Sequence, residues 1–292
     1  MDDTTSRIDM LLPVEMAKKA EELGVKKATI GWRNLFLLSI LAGAFISLGA
    51  IFSTSVTSGA AGTIPFGIIK LLGGLVFCLG LILVIVGGAE LFTGNNLIVM
   101  AWASGKVSIR QLLRNWIIVY IGNFAGSFLT AIIMFFTNQY MFGKGAIGLN
   151  ALNIATTKCN LGFIEALFLG IMCNALVCLA VWLCFSAKTT TDKILSIIFP
   201  ITAFVACGFE HCVANMYFVP IGMFIKSFAK PLFWENIGKT AGDYVVLTWG
   251  SFFYANLLPV TIGNIIGGSV LVGLTYWFVY IRKPRVPIIP QD

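Results

Sequence analysis

Two polar stretches interrupt long apolar runs in this chain, and they hold the residues most able to do chemistry there. The first, GGAELFTGNN at 87–96, contains Glu90. The second, CGFEHCVANM at 207–216, contains Glu210 and His211, the only histidine of the chain. Ionisable groups are costly in hydrocarbon and usually mark an ion or proton pathway. Histidine changes charge near neutral pH, so we expect His211 to act on protons or anions.

The other reactive side chains do not suggest catalysis. One histidine and seven cysteines give no spaced ligand set for a metal or a haem. The cysteines lie mostly inside apolar runs and are interpreted as small packing residues. No combination of Ser, His and Asp lies near the polar stretches. We therefore expect no metal, no cofactor and no enzymatic activity.

The elements that carry these residues must cross a membrane. Of the 292 residues, 58% are hydrophobic and 11% are charged, whereas a soluble domain has about 25% charged residues. Runs of about 20 apolar residues cross a bilayer as helices. Such runs are Leu35–Phe52, Leu71–Ala89, Phe163–Phe185 and Leu257–Ile281. The sequence predicts an all-α integral membrane protein with six transmembrane spans.

Each polar stretch breaks one of these spans. The segments Ile64–Ala103 and Ile194–Ile225 are too long for one straight crossing and too short for two. Each should therefore cross once, as a broken helix, in spans 2 and 5. Unwound backbone at membrane depth survives only when it is buried in protein or lines a polar cavity. The helix that follows each break directs its amide end to the midplane, which favours an anion.

The two halves of the chain resemble each other. Three alignments pair Glu90 with Glu210 and Asn95 with Asn215 (offset 120), YIGNFAGS at 120–127 with TIGNIIGGS at 261–269 (offset 141), and Phe36 with Phe163 and Gly43 with Gly170 (offset 127). Repeats of three spans face opposite ways across the membrane. Inverted repeats with paired broken helices place a transport site near the midplane. We expect these repeats at 34–140 and 161–283.

The basic residues orient the chain. With six spans, 14 of the 20 Lys and Arg residues fall on one side. They are Arg7, Lys18, Lys19, Lys26, Lys27, Arg33, Lys106, Arg110, Arg114, Lys188, Lys193, Arg282, Lys283 and Arg285. The positive-inside rule then puts both termini in the cytoplasm, and a nucleic-acid partner is not needed to explain the charge. We expect a cytoplasmic amphipathic segment at 1–33, a channel domain at 34–283 and a cytoplasmic tail at 284–292.

The sequence resembles the formate/nitrite transporter family, and most of all its bacterial-type formate channels. The similarity runs from LLPVEMAKKAEELGVKKA at 11–28 to VTIGNIIGGSVLVGLTYW at 260–277. Its most specific parts are GAELFTGN and GFEHCVANM at the breaks, and GLNALNIATTK before the fourth span. The resemblance implies an aquaporin-like fold and a homopentamer with one pore in each protomer. It also implies transport of formate across the cytoplasmic (inner) membrane.

The resemblance further implies a pore with two apolar constrictions around a polar centre. The expected residues are Phe77, Phe92 and Phe204 in the outer constriction, Leu81 and Leu91 in the inner one, His211, Thr93 and Asn174 between them, and Lys158 at the outer vestibule. From its sequence position, Lys158 is either a solvated loop residue or a cation that attracts anions. Glu210 either accepts backbone amides or fixes the tautomer or charge of the neighbouring imidazole.

Such a pore predicts coupling to protons. A bare anion loses its hydration between apolar rings at a cost of several kcal/mol, and a neutral acid does not. Formate has a solution pKa near that of Asp, about 3.9, and desolvation raises it. We expect the anion to take up a proton near His211 and to cross as formic acid. Either His211 transfers the proton or it only biases the local field.

Two departures from the family pattern leave the preferred anion open. Formate channels of this group usually have histidines just after the vestibule lysine, whereas Lys158 is followed here by Cys159 and Asn160. The first break has Glu90 and TGN where a shorter Asp and serines are common. A nitrite or hydrosulfide channel therefore remains an alternative, and acetate and lactate remain candidate substrates. A neutral-solute channel is a weaker alternative because no arginine lies near either break. The N-terminal segment either covers the inner mouth or docks a cytosolic partner.

Overall fold

The computed structural model describes residues 10–282 of the chain. The predicted cytoplasmic tail at 284–292 lies outside this range, as do Arg7, Lys283 and Arg285 and the beginning of the N-terminal segment. Within residues 10–282 the regular secondary structure is entirely helical. The prediction of an all-α chain is confirmed for this part.

Thirteen α-helices follow one another in this range. They are α1 (Pro13–Thr29), α2 (Trp32–Thr57), α3 (Phe66–Gly87), α4 (Phe92–Asn95), α5 (Val99–Ala103), α6 (Ile109–Phe136), α7 (Ala146–Cys159), α8 (Phe163–Ser186), α9 (Thr190–Ala206), α10 (Cys212–Phe228), α11 (Pro231–Ile237), α12 (Leu258–Ile265) and α13 (Thr275–Tyr280). Short 3-10 turns lie at Asn96–Ile98, Gln139–Met141 and Ala241–Tyr244. The π-helical segments Ser251–Leu257 and Ile266–Leu274 join α12 and α13 into one continuous helix, Ser251–Tyr280.

These helices form six spans. Five helices are long and apolar enough to cross a membrane alone: α2, α3, α6, α8 and Ser251–Tyr280. The fifth span in chain order consists of α9 and α10, which have 17 residues each and meet at 207–211. A 17-residue helix is about 26 Å long, short of the roughly 30 Å hydrocarbon core. The predicted break of span 5 is therefore present, and the second span continues past its own break as α4 and α5.

The first helix is packed against the channel rather than standing apart from it. Its buried face carries Met16 and Ala20, which pack with Met100 of α5 and Trp182 of α8. Further along, Ala28 packs with Ala101. Small residues on this face let α1 lie close to the spans.

Hydrogen bonds reveal how spans 1 and 4 correspond. Nδ2 of Asn123 donates to the carbonyl of Ser39 at 2.8 Å, and Nδ2 of Asn264 donates to the carbonyl of Gly170 at 2.8 Å. Ser39 therefore matches Gly170, an offset of 131, and the predicted pairing of Gly43 with Gly170 is wrong. The error is four residues, about one helical turn. It arose because Ser39 and Gly43 are both small and lie on the same helix face.

Glycines bring the backbones of neighbouring spans together in both repeats. A Cβ added at Gly126 of α6 would overlap the backbone of Ile40 in α2. In the second repeat a Cβ at Gly267 would overlap the backbone of Ile171 in α8. Small residues at helix contacts are the usual way in which membrane helices pack closely. This contact holds the asparagines of spans 3 and 6 against the two breaks.

Candidate transport site at the two helix breaks

The two breaks have the same backbone shape. Gly88 and Gly208 have positive φ of 80° and 73°, a left-handed conformation that other residues rarely adopt. Leu91 (φ −107°, ψ 127°) and His211 (φ −111°, ψ 113°) are extended and cap the helices α4 and α10. The predicted offset of 120 between the breaks is therefore confirmed. It makes Leu91 and His211 equivalent positions.

An asparagine from a neighbouring span satisfies each break. The backbone N–H of Phe92 donates to Oδ1 of Asn123 at 2.9 Å, and Nδ2 of Asn123 donates to the carbonyl of Glu90 at 2.9 Å. Asn264 makes the matching bonds in the second repeat, accepting from the N–H of Cys212 at 2.9 Å and donating to the carbonyl of Glu210 at 2.9 Å. These contacts confirm the offset of 141. They also explain how unwound backbone is tolerated at membrane depth.

Each break carries a lysine–glutamate pair. In the second repeat, Nζ of Lys158 donates to Oε1 of Glu210 at 2.8 Å. Asn215 and Asn256 donate to Oε2 of the same carboxylate at 2.6 and 3.1 Å. Lys158 also lies 5.3 Å from the ring centre of Phe218. Its side chain is only 13% exposed and belongs to helix α7, so the interpretation of Lys158 as a solvated loop residue is wrong.

The first repeat contains the same pair, which the sequence analysis missed. Nζ of Lys27 in α1 donates to Oε1 of Glu90 at 2.6 Å and to Oδ1 of Asn95 at 3.0 Å. The carbonyl of Lys27 accepts from Asn115, as the carbonyl of Lys158 accepts from Asn256. Lys27 and Lys158 are 131 residues apart, which is the offset of spans 1 and 4. The correct register would therefore have revealed this residue.

His211 is held by two hydrogen bonds that define its tautomer. Its Nδ1 accepts from the backbone N–H of Ala214 at 3.1 Å, so Nδ1 carries no hydrogen. In the neutral ring the hydrogen is then on Nε2, which lies 3.0 Å from Oγ1 of Thr93. The ring also stacks on Phe204 at 5.9 Å. Ala214, rather than Glu210, therefore fixes the imidazole tautomer.

A small chamber lies between the breaks. It has a volume of about 10 Å³, which is room for about one water molecule. Its walls are formed by Ile46, Phe77, Leu81, Leu91, Val177, Ile201, Phe204 and His211. Six of these residues form three pairs related by the repeat offsets. His211 is the only polar side chain among them, and its equivalent in the first repeat is Leu91.

Two residues predicted for the passage are not among the side chains that line this chamber. The ring of Phe92 packs on Trp116 and Tyr120 of α6, with ring centres 6.2 and 4.9 Å apart. Phe92 is thus turned to span 3 and does not line the chamber, while Phe77 and Phe204 meet edge to face at 5.6 Å. The motif does not specify which way the first residue of α4 points, and the place of Phe92 in the outer constriction stays a prediction.

Asn174 also lies behind the chamber wall. It is completely buried and donates to the carbonyl of Thr93 at 3.3 Å, to Oδ1 of Asn96 at 2.8 Å and to the carbonyl of Asn264 at 2.6 Å. Asn174 therefore holds Thr93, which in turn contacts His211. Its predicted place on the passage itself stays a prediction.

Comparison with known proteins agrees with this architecture. The family model described as "Formate/nitrite transporter" matches residues 14–278. The chain belongs to the formate/nitrite transporter family. Formate channel FocA of Escherichia coli K12 is 49% identical over 275 residues, covering 94% of this chain and 96% of that protein. FocA of Haemophilus influenzae is 44% identical, covering 90% and 93%.

Two solved structures are also similar to this transporter. A pentameric formate channel with formate bound has 49% sequence identity and a TM-score of 0.82, covering 86% of this chain and 98% of that chain. An FNT family ion channel has 27% identity and a TM-score of 0.74, covering 90% and 98%. The fold is therefore the six-span arrangement of this family, with inverted repeats and broken helices.

On one side of this transporter a larger cavity of about 600 Å³ adjoins the chamber, and we call it the α1-side vestibule. Its walls include Lys19, Leu23, Lys27, Leu81, Glu90, Leu91, Asn95, Phe185, Lys188 and Lys193. Leu81 and Leu91 line both the vestibule and the chamber. They therefore form the apolar partition between the two spaces, and their role as the inner constriction stays a prediction.

Proposed function

We propose that this chain forms a channel that carries formate across the cytoplasmic membrane together with a proton. The observation that supports this most directly is the chamber of about 10 Å³, whose only polar side chain is His211. The 49% identity to a formate channel supports formate as the substrate. Transport rather than catalysis is the function of this family, and we propose no enzymatic step.

The chamber favours a neutral permeant. A formate ion between Phe77 and Leu81 would lose its water and gain no opposite charge. The apolar surroundings raise the pKa of a carboxylic acid, so proton uptake becomes easier as the anion leaves the vestibule. The species that crosses is formic acid.

We propose that His211 acts as a hydrogen-bond donor and not as the carrier of the proton. An imidazolium would need a hydrogen on Nδ1, where the N–H of Ala214 already donates. The positive end of helix α10 opposes the same charge. With the ring held in place, the Nε2–H group can donate to a carboxyl oxygen of the permeant that lies beside the hydroxyl of Thr93. The permeant takes up its proton from water in the vestibule and enters the chamber as the neutral acid.

We propose further that five copies form the working assembly, each with its own pore, in the inner membrane with both termini in the cytoplasm. A solved structure that is 49% identical is described as a pentameric formate channel. The orientation follows from the 14 of 20 basic residues on one side. This orientation makes the α1-side vestibule cytoplasmic, and α1 is the place where a cytosolic partner would bind.

Anion uptake into proteoliposomes tests the proposed function. The purified chain is reconstituted, and formate, nitrite, hydrosulfide, acetate and lactate are compared under an imposed pH gradient. We expect formate to enter faster than acetate or lactate, and uptake to increase when the side that supplies formate is more acidic. A protein that passes only uncharged solutes, or that prefers nitrite or hydrosulfide at every pH, would contradict formate as the substrate.

A further inference from the structure

The α1-side vestibule is much larger and more basic than formate requires. Its volume of about 600 Å³ contrasts with about 10 Å³ for the chamber. Among the described residues that line it, four are lysines and one is a carboxylate, Glu90. Lys27 is already paired with that carboxylate at 2.6 Å. Lys19 and Lys193 line the same cavity, and these two charges together favour an anion with more than one negative charge.

Lys19 and Lys193 line the vestibule from two different helices. Lys19 lies on α1, where its Nζ donates to the carbonyl of Phe185 at 2.7 Å, and Lys193 lies in the first turns of α9. Burial lowers the pKa of Lys19, and the positive charges of Lys193 and Lys188 lower it further. Charges that repel one another across a cavity are stabilised when an anion enters between them.

The exit from the vestibule stops such an anion. Formate becomes neutral by taking up one proton, but sulfate keeps two negative charges across the neutral pH range. Crossing the partition of Leu81 and Leu91 would strip water from both charges, and the desolvation cost increases steeply with charge. A polyvalent oxyanion can therefore bind in this vestibule but cannot proceed to the chamber.

We propose that the α1-side vestibule is a binding site for polyvalent oxyanions of the sulfate and phosphate class, which occupy the path and slow formate flux without crossing. Binding lies on the formate path, so the inhibition is competitive with formate from that side. The flux readout rests on the proposed function, and direct binding does not.

Flux measurements with matched salts test this inference. The full chain is reconstituted in vesicles of phosphatidylcholine alone, which excludes anionic lipid headgroups as ligands. Formate uptake at sub-saturating concentration is measured with sodium sulfate or sodium gluconate on both sides at equal ionic strength. Sulfate should slow uptake in the wild type and gluconate should not. The double variant Lys19→Gln, Lys193→Gln should need about fivefold more sulfate, or more, for half inhibition.

Lys18→Gln is the matched control because it removes the same charge from the exposed face of the same helix. It should behave as the wild type. Should the double variant fail to assemble, Lys193→Gln alone leaves the bond between Lys19 and Phe185 intact and should weaken inhibition by a smaller factor. Equal sulfate sensitivity of wild type and variants overturns the proposal, as does uptake of labelled sulfate.

Calorimetric titration of the detergent-solubilised protein with sulfate separates this proposal from the transport proposal. Binding that the double variant weakens supports the site even if formate flux is not observed. Absence of formate flux contradicts only the proposed function. Formate flux without sulfate binding by the wild type overturns only the binding site.

Discussion

At the scale of single residues, the orientation of one imidazole determines what the chamber can do. Nδ1 of His211 is occupied by the N–H of Ala214, and the opposite nitrogen faces Thr93 across 3.0 Å. The ring therefore offers one donor to a space that is otherwise apolar. Without that donor, the carboxyl group of a permeant acid in this space would have no hydrogen-bond partner.

Replacing His211 with Phe should test the value of this donor. The substitution keeps a ring of similar size beside Phe204 and removes both nitrogens. An unpaired carboxyl group in an apolar space costs about 1–3 kcal/mol, so formate uptake should decrease roughly 5- to 150-fold. Uptake is measured under a pH gradient, and size-exclusion chromatography checks that the assembly is intact. Undiminished uptake by an intact assembly would contradict the role of His211.

A second residue-scale prediction concerns the pair of Lys158 and Glu210. Lys158→Gln leaves the buried carboxylate of Glu210 without its cation. The unpaired carboxylate then repels entering anions. We expect formate uptake at sub-saturating concentration to decrease about tenfold. Lys158→Arg should retain part of the rate because the charge persists.

The double variant Lys158→Gln, Glu210→Gln separates two explanations of such a loss. It should recover much of the rate if the unpaired carboxylate causes the defect. It should be as slow as Lys158→Gln if the lysine itself captures anions. Uptake at two ionic strengths completes the measurement. Equal rates for all these proteins and the wild type would mean that the pair has no part in transport.

At the scale of elements, the sequence predicted the helices well and their exact alignment less well. Long apolar runs identified the spans, and the glutamates and asparagines of the breaks identified the repeats. The alignment of spans 1 and 4 was displaced by one turn because small residues recur along α2 every four positions, as at Ser39, Gly43 and Ser47. Hydrogen bonds from Asn123 and Asn264 resolve this ambiguity, and a single sequence does not contain them.

The same limit applied to the directions of side chains. A motif placed Phe92 and Asn174 near the breaks, but helix rotation decides which face meets the chamber. The structure turns Phe92 to α6 and buries Asn174 behind Thr93. Lys27 was overlooked because its equivalent in the second repeat, Lys158, lies in a region that the sequence analysis interpreted as a loop. These features depend on packing between elements that lie far apart in the chain.

The docking of α1 should depend on pH through Lys19. Its pKa is lowered from 10.5 in the folded protein. Between the lowered value and 10.5 the unfolded chain binds more protons than the folded chain, so stability should increase with pH across that window. Below the window the lysine is charged in both states, and its burial and repulsion remain unfavourable.

Apparent melting temperatures in detergent measure this effect. The wild type should gain stability as the pH increases toward 10.5, relative to Lys19→Gln, which has no charge to lose at that position. Lys18→Gln is the control and should follow the wild type. Parallel curves for Lys19→Gln and the wild type would show that repulsion around Lys19 does not affect the stability of the fold.

At the scale of the whole molecule, the two inverted repeats have nearly the same backbone and hydrogen bonds but differ in side chains at the breaks. The asparagines, the lysine–glutamate pairs and the backbone of the breaks correspond in both halves. The side chains differ at two equivalent positions: Leu91 corresponds to His211, and Thr93 corresponds to Val213. The donor therefore faces the chamber from one repeat only.

If the two repeats are equivalent at the chamber, an imidazole in the first repeat should also donate a hydrogen bond to the permeant. His211→Leu alone should slow formate uptake as His211→Phe does. Adding Leu91→His, Thr93→Val and Val213→Thr moves the imidazole and its hydroxyl partner to the equivalent positions, where the N–H of Gly94 corresponds to that of Ala214. The fourfold variant should take up formate at least about fivefold faster than His211→Leu, since one buried hydrogen bond of about 1 kcal/mol is regained.

A threefold variant without Val213→Thr is the control for this exchange. Its imidazole would have no hydroxyl partner, so the ring would be free to rotate away from the chamber, and uptake should remain low. The fourfold variant must also assemble normally in size-exclusion chromatography. An intact fourfold variant that is as slow as His211→Leu would mean that the two repeats are not equivalent at the chamber. The direction from which the donor faces the permeant would then matter as much as its presence.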